Sequence, residues 1–363
     1  MSESATENRK VDHINIVLGE NVAAKGVSTG FEAYRFEHCA LPELDMRAID
    51  TRTTLFGKLL NAPFLISSMT GGAAATERIN LHLAEAAQAL GVAMGVGSQR
   101  AALFDERLRS SYQVRRVAPA IVLLANVGAV QLNYGYGVEQ CQRAVDMIEA
   151  DALILHFNAL QEAVQPEGDT NFAGLLGKIE AVCRAVSVPV IAKEVGNGIG
   201  GTMARQLVEA GVHAIDVAGA GGTSWSEVER FRQPTARGRR VAGTFAGWGI
   251  PTAEAIRQVR AILPHVLLIG SGGIRTGLDA AKAIALGADI AASATPNLAA
   301  QDDGGTDAII ESIGALLDEL RITMFCTGAA NVAALRNTAL VRRSFNAEAQ
   351  GSRAADFFMI CDS

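Results

Sequence analysis

The sequence has little of what disulfide frameworks, metal clusters and membrane helices need. Its five cysteines are scattered over 363 residues without a CxxC pair, which argues against a disulfide scaffold or a structural zinc site and favours reduced thiols. No apolar run approaches the roughly 20 residues of a membrane span, and the polar stretch of residues 1–10 lacks the apolar core of a signal peptide. We therefore expect a cytoplasmic protein with no membrane partner.

Aromatic residues and prolines are also sparse, whereas glycine is abundant. Aromatics make up 5% of the chain and prolines number 9, against 37 glycines and 49% hydrophobic residues. This composition favours a parallel sheet covered by helices over a β-sandwich. The formal net charge of −6 gives no electrostatic reason to expect a nucleic-acid partner. The histidines show no paired metal-ligand spacing, which argues against a zinc hydrolase.

One unit repeats from Pro63 onward: a short apolar strand, a turn, and an amphipathic helix rich in alanine and leucine. It predicts eight strands: Phe64–Ser67, Val92–Val96, Ile121–Ala125, Leu153–Phe157, Pro189–Val195, Ala214–Ala218, Val266–Gly270 and Asp289–Ser293. Eight such units over roughly 250 residues match the size of a closed (β/α)₈ TIM barrel, an α/β fold. The alternative is an open doubly wound sheet, but the GxGxxG turn typical of that fold does not follow the first strand.

The pattern also predicts helices and flanking segments. The helices are Thr76–Leu90, Val138–Glu149, Phe172–Val186, Gly201–Ala210 and Thr276–Leu286, with closing helices at Asp303–Arg321 and Asn331–Arg336. Residues 1–62 form an N-terminal extension, 63–345 the barrel, and 346–363 a polar C-terminal tail. The connection Gly219–Gly249 is too long for an ordinary turn. We interpret it as an active-site loop after the sixth strand, partly mobile.

The exit of the fourth strand is the most informative part of the sequence. His156 and Asn158 are two residues apart and therefore face the same side of the strand, and Gln161 and Glu162 follow on the turn. Polar groups crowded at the end of an apolar strand cost free energy unless something binds them. Because the active site of a TIM barrel lies at the carboxyl ends of its strands, this cluster predicts a site.

Two further exits have the pattern of a phosphate site. Gly272 and Gly273 precede a helix, and Ser293 and Ala294 follow the eighth strand. Glycines allow close approach of an anion to the N–H groups of a helix start, and barrels often bind phosphate between these two turns. The alternative is that the glycines only permit tight turns.

Three cationic residues stand out from their surroundings. Lys193 shares a strand face with Ile191 and Val195 and so faces the barrel interior, where it needs an anion or a ring oxygen; a structural pair with Glu194 is the alternative. Arg9-Lys10 near the N-terminus, judged by spacing alone, is typical of a solvated surface.

Seven segments together resemble the type 2, FMN-dependent isopentenyl-diphosphate isomerases. They are Arg9-Lys10-Val11-Asp12-His13, Ser68-Met69-Thr70-Gly71-Gly72, Gly95-Val96-Gly97-Ser98-Gln99-Arg100, His156-Phe157-Asn158-Ala159-Leu160-Gln161-Glu162, Lys193-Glu194-Val195-Gly196, Ala218-Gly219-Ala220-Gly221-Gly222-Thr223-Ser224-Trp225 and Ser271-Gly272-Gly273-Ile274-Arg275. They follow the order of the family from Arg9 to about Ala294. The Asn-Ala-Leu-Gln-Glu and Gly-Gly-Thr-Ser-Trp runs are the most specific.

The resemblance implies a reversible 1,3-allylic proton shift between isopentenyl and dimethylallyl diphosphate in isoprenoid biosynthesis. It implies reduced FMN and Mg²⁺ as cofactors, NADPH as the reductant, and a homotetramer or homo-octamer. Reduced FMN itself would move the proton through its N5 atom. The residues implied at the reacting centre are Gln161, which positions the substrate, His156, and Trp225. Trp225 either offers its π face to the cationic transition state or only shields the site from water.

The resemblance also assigns the binding residues. FMN is implied to contact Ser68, Met69, Thr70, Ser98, Asn126, Lys193, Thr223, Gly272, Gly273, Arg275, Ser293 and Ala294. The substrate is implied to contact Arg9, Lys10, His13, Ser98, Gln99, Arg100, His156, Asn158 and Gln161, with Mg²⁺ bound by Glu162. The chemistry agrees, because cations match a diphosphate and Mg²⁺ typically uses one or two carboxylates.

Two other functions are compatible with such a barrel. One is an FMN-dependent oxidoreductase, such as a 2-hydroxy-acid oxidase or a relative of inosine-monophosphate dehydrogenase. The oxidase needs a histidine base near strands six and seven, but His213 and His265 fall at or before the starts of strands, and the dehydrogenase needs a cysteine where none occurs between Cys183 and Cys326. The other is a non-catalytic flavin- or phosphate-binding barrel, against which the polar cluster after the fourth strand argues.

Overall fold

The computed structural model describes residues 3–72 and 74–342. The predicted C-terminal tail, 346–363, and the end of the predicted barrel segment, 343–345, lie outside the described residues. Within that part of the chain, no helix combines the length and the hydrophobicity that crossing a membrane requires.

Eight parallel strands form a closed barrel in which each strand pairs with its neighbours in sequence and the eighth pairs with the first. The strands are β1 (Phe64–Ile66), β2 (Ala93–Gly95), β3 (Leu123–Gly128), β4 (Ala152–Phe157), β5 (Val190–Glu194), β6 (Ala214–Asp216), β7 (Leu267–Ser271) and β8 (Ile290–Ser293). Each overlaps a predicted strand, and the predicted (β/α)₈ fold class is confirmed.

Thirteen α-helices occur in the described residues. They are α1 (Glu3–Gly19), α2 (Ala74–Leu90), α3 (Arg100–Phe104), α4 (Val138–Ile148), α5 (Ala159–Val164), α6 (Leu175–Ala185), α7 (Gly201–Glu209), α8 (Trp225–Arg232), α9 (Ala236–Thr244), α10 (Thr252–Ile262), α11 (Gly277–Ala285), α12 (Thr295–Cys326) and α13 (Val332–Arg336). The five predicted helices that alternate with the strands are present. Helix α6 begins later than predicted, because Gly174 before it has a left-handed backbone with φ of 68°.

The N-terminal extension closes one end of the barrel. Its strands Thr53–Leu55 and Lys58–Leu60 form a hairpin around Phe56 and Gly57, whose positive φ angles suit a two-residue turn. Leu55 and Leu60 of this hairpin pack into the apolar cluster inside the barrel, with residues such as Ile154. The hairpin thus seals the N-terminal ends of the strands, and the opposite end is left for a site.

Other parts of the extension contact the opposite end and the outside of the barrel. Helix α1 contacts α8 and α12, and its side chains line a cavity at the carboxyl ends of the strands. A short strand, Tyr34–Phe36, pairs antiparallel with Leu340–Arg342. The extension is therefore packed against the barrel at several places.

The connections after β6 and β8 contain helices that the sequence pattern did not predict. The predicted active-site loop, Gly219–Gly249, contains α8 and α9. The hydroxyl of Thr235 begins α9 by accepting from Gly238 N at 3.0 Å. Helix α12 starts directly after β8, and the predicted closing helix Asp303–Arg321 corresponds to the second part of α12. The non-helical backbone at Gly304 and Gly305 kinks α12 and separates its first part from its second. Helix α13 matches its prediction.

Candidate active site

A cavity at the carboxyl ends of the barrel strands is lined by residues from all eight strand exits and from α1. All but one of the predicted site residues contribute to its wall. They are Arg9, Lys10, His13, Ser68, Met69, Thr70, Ser98, Arg100, Asn126, His156, Asn158, Gln161, Glu162, Lys193, Thr223, Trp225, Gly272, Gly273, Arg275, Ser293 and Ala294. The fold therefore brings together side chains that lie far apart in the sequence.

Gln99 is the exception, and the structure argues against its predicted contact with the substrate. Its side chain is fully buried and is not part of the cavity wall. The amide nitrogen donates to the carbonyl of Ala144 at 2.8 Å, and the amide oxygen accepts from the backbone of Asn126 at 2.9 Å. Gln99 therefore ties the exits of β2 and β3 to α4.

Three cations converge at one side of the cavity. Arg9 and Lys10 lie on α1, and Arg100 is the first residue of α3 and pairs with Asp169 at 2.8 Å. The ammonium of Lys10 donates to the carbonyls of Gly71 and Ser98 and to the Tyr112 hydroxyl. Burial and the charges of Arg9 and Arg100 lower the pKa of Lys10 to about 7. Burial and Arg100 likewise lower the pKa of Arg9. Such crowding of like charges favours an anionic ligand.

His156 is held as a neutral ring at the exit of β4. Its Nδ1 lies 2.8 Å from Oδ1 of Asn126, whose amide nitrogen donates to Val96 O at 3.1 Å. This arrangement assigns the ring proton to Nδ1. Burial, together with Lys193 and Lys10, lowers the pKa of His156 to about 3. In the folded chain the imidazole is therefore uncharged at neutral pH, with Nε2 as an acceptor.

Gln161 belongs to a hydrogen-bonded network centred on Glu229. The amide nitrogen of Gln161 donates to Glu229 Oε1 at 3.0 Å, and His13 Nε2 lies 2.9 Å from the same oxygen. Arg232 donates to the other carboxylate oxygen at 2.7 Å. Burial alone would raise the pKa of Glu229, but His13, Gln161 and Arg232 together lower it. The amide oxygen of Gln161 accepts from Asn158 at 3.1 Å.

Glu229 was missed by sequence reasoning, although the sequence contains a signal for it. It lies one turn after Trp225 on α8, so assigning a helix there would have placed both residues on one face. Trp225 in turn packs edge-on against His13, with ring centroids 5.2 Å apart. Helix α8, the first helix after β6, thus contributes both an aromatic wall and a buried carboxylate.

Glu162 is a buried carboxylate in the cavity wall that is held by three hydrogen bonds. Its carboxylate accepts from Asn158 at 2.9 Å, from Gln165 at 3.0 Å and from the backbone of Asp169 at 2.7 Å. Burial is the main reason why the pKa of Glu162 is raised. The described residues hold no cluster of three or more histidine, cysteine or acidic side chains placed to bind a metal. Mg²⁺ commonly needs only one or two carboxylates when phosphate and water complete its shell, so Glu162 fits that ion.

The glycine-rich side of the cavity fits a flavin phosphate. Gly272 has φ of 106°, and a Cβ there would lie 2.2 Å from the carbonyl oxygen of Gly219, so no larger residue is tolerated. Ala294 immediately precedes α12. In the first turn of α12, Pro296 has no N–H and the N–H of Asn297 donates to the carbonyl of Ala294 at 3.0 Å, so only part of this helix start is able to meet an anion. The hydroxyls of Ser67 and Ser68 are buried without a hydrogen-bond partner in the described part of the chain. A polar ligand would satisfy them.

Lys193 lines the cavity as the strand period predicts. Its ammonium donates to the carbonyl of Glu194 at 2.6 Å. The carboxylate of Glu194 instead accepts from backbone N–H groups of the following loop, so the two side chains do not form an ion pair. This leaves the ammonium able to meet a ligand.

The features expected of an oxidase or a cysteine-dependent dehydrogenase are not in the cavity wall. His213 and His265 precede β6 and β7, at the closed end of the barrel. The described cysteines, Cys39, Cys141, Cys183 and Cys326, do not line the cavity.

Known proteins are similar to this chain over most of its length. A family model described as FMN-dependent dehydrogenase matches residues 3–117 and 153–342. A protein from Synechocystis sp. named isopentenyl-diphosphate delta-isomerase is 58% identical over 93% of this chain and 96% of its own length. Proteins with the same name from Nostoc sp. and Stutzerimonas stutzeri are each 54% identical, over 94% and 95% of this chain and 98% and 99% of their own lengths.

Solved structures with lower identity share the fold. A lactate oxidase from Pediococcus acidilactici superposes with a TM-score of 0.67 at 16% identity, covering 94% of both chains. A mandelate oxidase superposes with a TM-score of 0.64 at 18% identity, covering 91% of this chain and 95% of that chain. From the family match and the high identity to the named relatives, we conclude that the chain belongs to the FMN-dependent dehydrogenase family and, within it, to the isopentenyl-diphosphate delta-isomerases.

Proposed function

We propose that this chain catalyses the reversible conversion of isopentenyl diphosphate into dimethylallyl diphosphate with reduced FMN as its cofactor. The observation that carries the proposal is the division of one cavity into two anion-binding sides. Arg9, Lys10 and Arg100 crowd one side, and Gly272 and Gly273 form a cradle at another. A flavin phosphate needs one such side and a diphosphate needs the other.

The diphosphate would be held by the cations of α1 and α3. Lys10 already donates to protein acceptors, so it would contribute its charge, while Arg9 and Arg100 would supply further N–H donors. Glu162 would hold Mg²⁺, which would neutralise negative charge on the diphosphate. Asn158 supports this role, because its Oδ1 is buried without a hydrogen-bond partner among the described residues and is an oxygen of the kind that Mg²⁺ prefers.

Gln161 and Trp225 line the part of the cavity in which the substrate would bind. Reduced FMN, when bound, supplies the acid and base that move the proton between the two allylic carbons. Gln161 is a poor base, and both ends of its amide are already fixed by Glu229 and Asn158. It would therefore orient the substrate, while Trp225 closes the site beside it. Neutral His156 would present Nε2 without adding charge.

Several finer points belong to the same proposal. FMN would be held by the predicted residues that line the cavity, with Lys193 at its ring, and the N-terminal extension would contribute to the substrate site through α1. NADPH would reduce the flavin, the chain would assemble as a homotetramer or homo-octamer, and it would act in the cytoplasm. The support for these points is the resemblance of the sequence to its family.

Anaerobic incubation with dithionite-reduced FMN, Mg²⁺ and isopentenyl diphosphate tests the proposal, with product followed by NMR. We expect dimethylallyl diphosphate to form without net consumption of reductant, and we expect no product when the flavin is kept oxidised. An oxidoreductase would consume one equivalent of reductant per turnover, and a binding protein would form no product. Either result would refute the proposed function.

A further inference from the structure

A single carboxylate oxygen organises the loop that follows β5. Glu194 Oε2 accepts hydrogen bonds from four consecutive backbone N–H groups: Val195 at 2.7 Å, Gly196 at 2.8 Å, Asn197, and Gly198 at 3.3 Å. Consecutive N–H groups that converge in this way form an anion-binding nest. In this protein the anion is supplied by the chain itself, and Glu194 is buried.

The same loop joins parts of the site from different strands. Asn197 donates its side-chain amide to the carbonyl of Trp248 at 2.6 Å and accepts from the backbone of Ile250 at 2.9 Å. Gly196 packs so closely under Thr223 that a Cβ would lie 2.8 Å from its carbonyl oxygen. Val195, Gly196 and Thr223 all line the cavity. A shift of this loop would therefore move the wall between β5 and β6.

Glu194 also acts on Lys193 through its main chain. The ammonium of Lys193 donates to the carbonyl oxygen of Glu194 at 2.6 Å, and this carbonyl adjoins the first N–H group that the carboxylate accepts. The two side chains point to opposite faces of β5, as neighbours on a strand do. The Glu194 carboxylate lies outside the cavity and fixes the peptide unit between Glu194 and Val195. The same peptide unit holds the Lys193 ammonium, which lies inside the cavity.

We propose that Glu194 is a positioning residue for the flavin: its carboxylate fills the nest of residues 195–198 and thereby holds the Lys193 ammonium against the flavin ring. The inference rests on the proposed function because it takes FMN as the ligand of Lys193. An anion should be required at the nest, and a small carboxylate should be able to replace the one that the chain provides.

Four proteins test this inference: the wild type, Glu194→Ala, Glu194→Gln and Lys193→Met. The exposed ion pair of Glu180 with Arg184 on α6 provides a control variant, Glu180→Ala. Three quantities are measured in each protein: the Kd of FMN, the absorption spectrum of bound FMN, and hydrogen exchange of the amides of residues 195–198 in the flavin-free chain. Each is measured in sodium acetate and in sodium chloride at equal ionic strength.

We expect Glu194→Ala to weaken FMN binding about tenfold, the cost of roughly one charge-assisted contact, and to accelerate exchange of the four amides. Acetate should restore both, whereas chloride should restore neither. Glu194→Gln should give an intermediate Kd, because its amide oxygen accepts hydrogen bonds without a charge. Both Glu194→Ala and Lys193→Met should change the absorption spectrum of bound FMN, because both disturb the Lys193 ammonium. In Lys193→Met the amides should stay protected, and Glu180→Ala should match the wild type.

The inference is overturned if Glu194→Ala leaves the Kd and the exchange unchanged, or if acetate reverses neither loss. If Glu194→Ala does not fold, Glu194→Gln decides: a Kd equal to that of the wild type overturns the inference and a weaker one supports it. These outcomes are separate from the fate of the proposed function. If the chain binds FMN but does not isomerise the substrate, the Kd of FMN still tests the inference. If the chain binds no FMN, hydrogen exchange of the amides of residues 195–198 still shows whether Glu194 orders the loop.

Discussion

The junction formed by Glu229 gives the sharpest test of how the site is positioned. Its two carboxylate oxygens accept three hydrogen bonds, from His13 and Gln161 on one oxygen and from Arg232 on the other. In Glu229→Gln one oxygen becomes an NH₂ group, which must face at least one of these donors. A hydrogen bond to a charged group contributes about 1.5–3 kcal/mol, so we expect the free energy of unfolding to fall by about 2 kcal/mol.

The effect on catalysis should be larger than this loss of stability suggests. Gln161 depends on Glu229 for its orientation, and a small misplacement at a reacting centre costs on the order of a hundredfold in rate. We therefore expect kcat/KM for isopentenyl diphosphate to fall about a hundredfold in Glu229→Gln. The assay is NMR detection of dimethylallyl diphosphate with reduced FMN, alongside urea denaturation of the same protein.

Glu227 provides a matched control on the same helix. It is buried and accepts from Lys25 at 2.5 Å and Arg230 at 3.0 Å. Neither of these partners lines the cavity, whereas Gln161 and His13, the partners of Glu229, both do. Glu227→Gln should therefore lose similar stability and keep its activity. If Glu229→Gln kept full activity, or if both variants lost activity equally, the positioning of Gln161 by Glu229 would be refuted.

Three further predictions follow from the same site. Glu162→Gln should raise the Mg²⁺ concentration needed for half-maximal activity at least about tenfold, because one carboxylate ligand is lost. FMN binding should be unchanged. An unchanged Mg²⁺ dependence would show that Glu162 is not a Mg²⁺ ligand. Because the pKa of Lys10 is about 7, its charge is present below that pH and is lost above it. KM should therefore rise with pH above 7 in the wild type and less so in Lys10→Met, and identical profiles would contradict this. The pKa of His156 is about 3 in the folded chain against an ordinary value of 6.5, so the unfolded chain takes up the proton first as pH falls. Between these values acidification should lower the free energy of unfolding by up to about 1.4 kcal/mol per pH unit, and His156→Asn should lack this contribution when both proteins are followed by urea denaturation; equal slopes would contradict the assignment.

The barrel itself was predictable from sequence because its signals are local. Buried parallel strands are short apolar runs, and here glycines and polar residues bound them on both sides. Helices α8 and α9 lack that contrast, since both are short and rich in charged residues. Their stability comes from packing on neighbouring elements, such as α5 against α8, which no local pattern reveals.

The same distinction explains the outcome for individual site residues. His156 and Lys193 lie on strands, where alternation fixes which side chain faces the cavity. Gln99 lies beyond the end of β2 and just before α3, where that alternation no longer applies, and its side chain points into the core. Glu229 reaches the site because it meets His13, which lies 216 positions earlier in the chain. Proximity of this kind is a tertiary property.

The hairpin of residues 53–60 affects the order in which ligands bind to the barrel. Leu55 and Leu60 of this hairpin close the N-terminal end of the described barrel. Ligands would therefore enter and leave at the carboxyl ends of the strands. FMN bound at the strand ends would lie deeper in the cavity than a diphosphate bound by the cations of α1. Binding should therefore be ordered, with FMN binding before isopentenyl diphosphate. A saturating concentration of isopentenyl diphosphate should lower the dissociation rate of FMN.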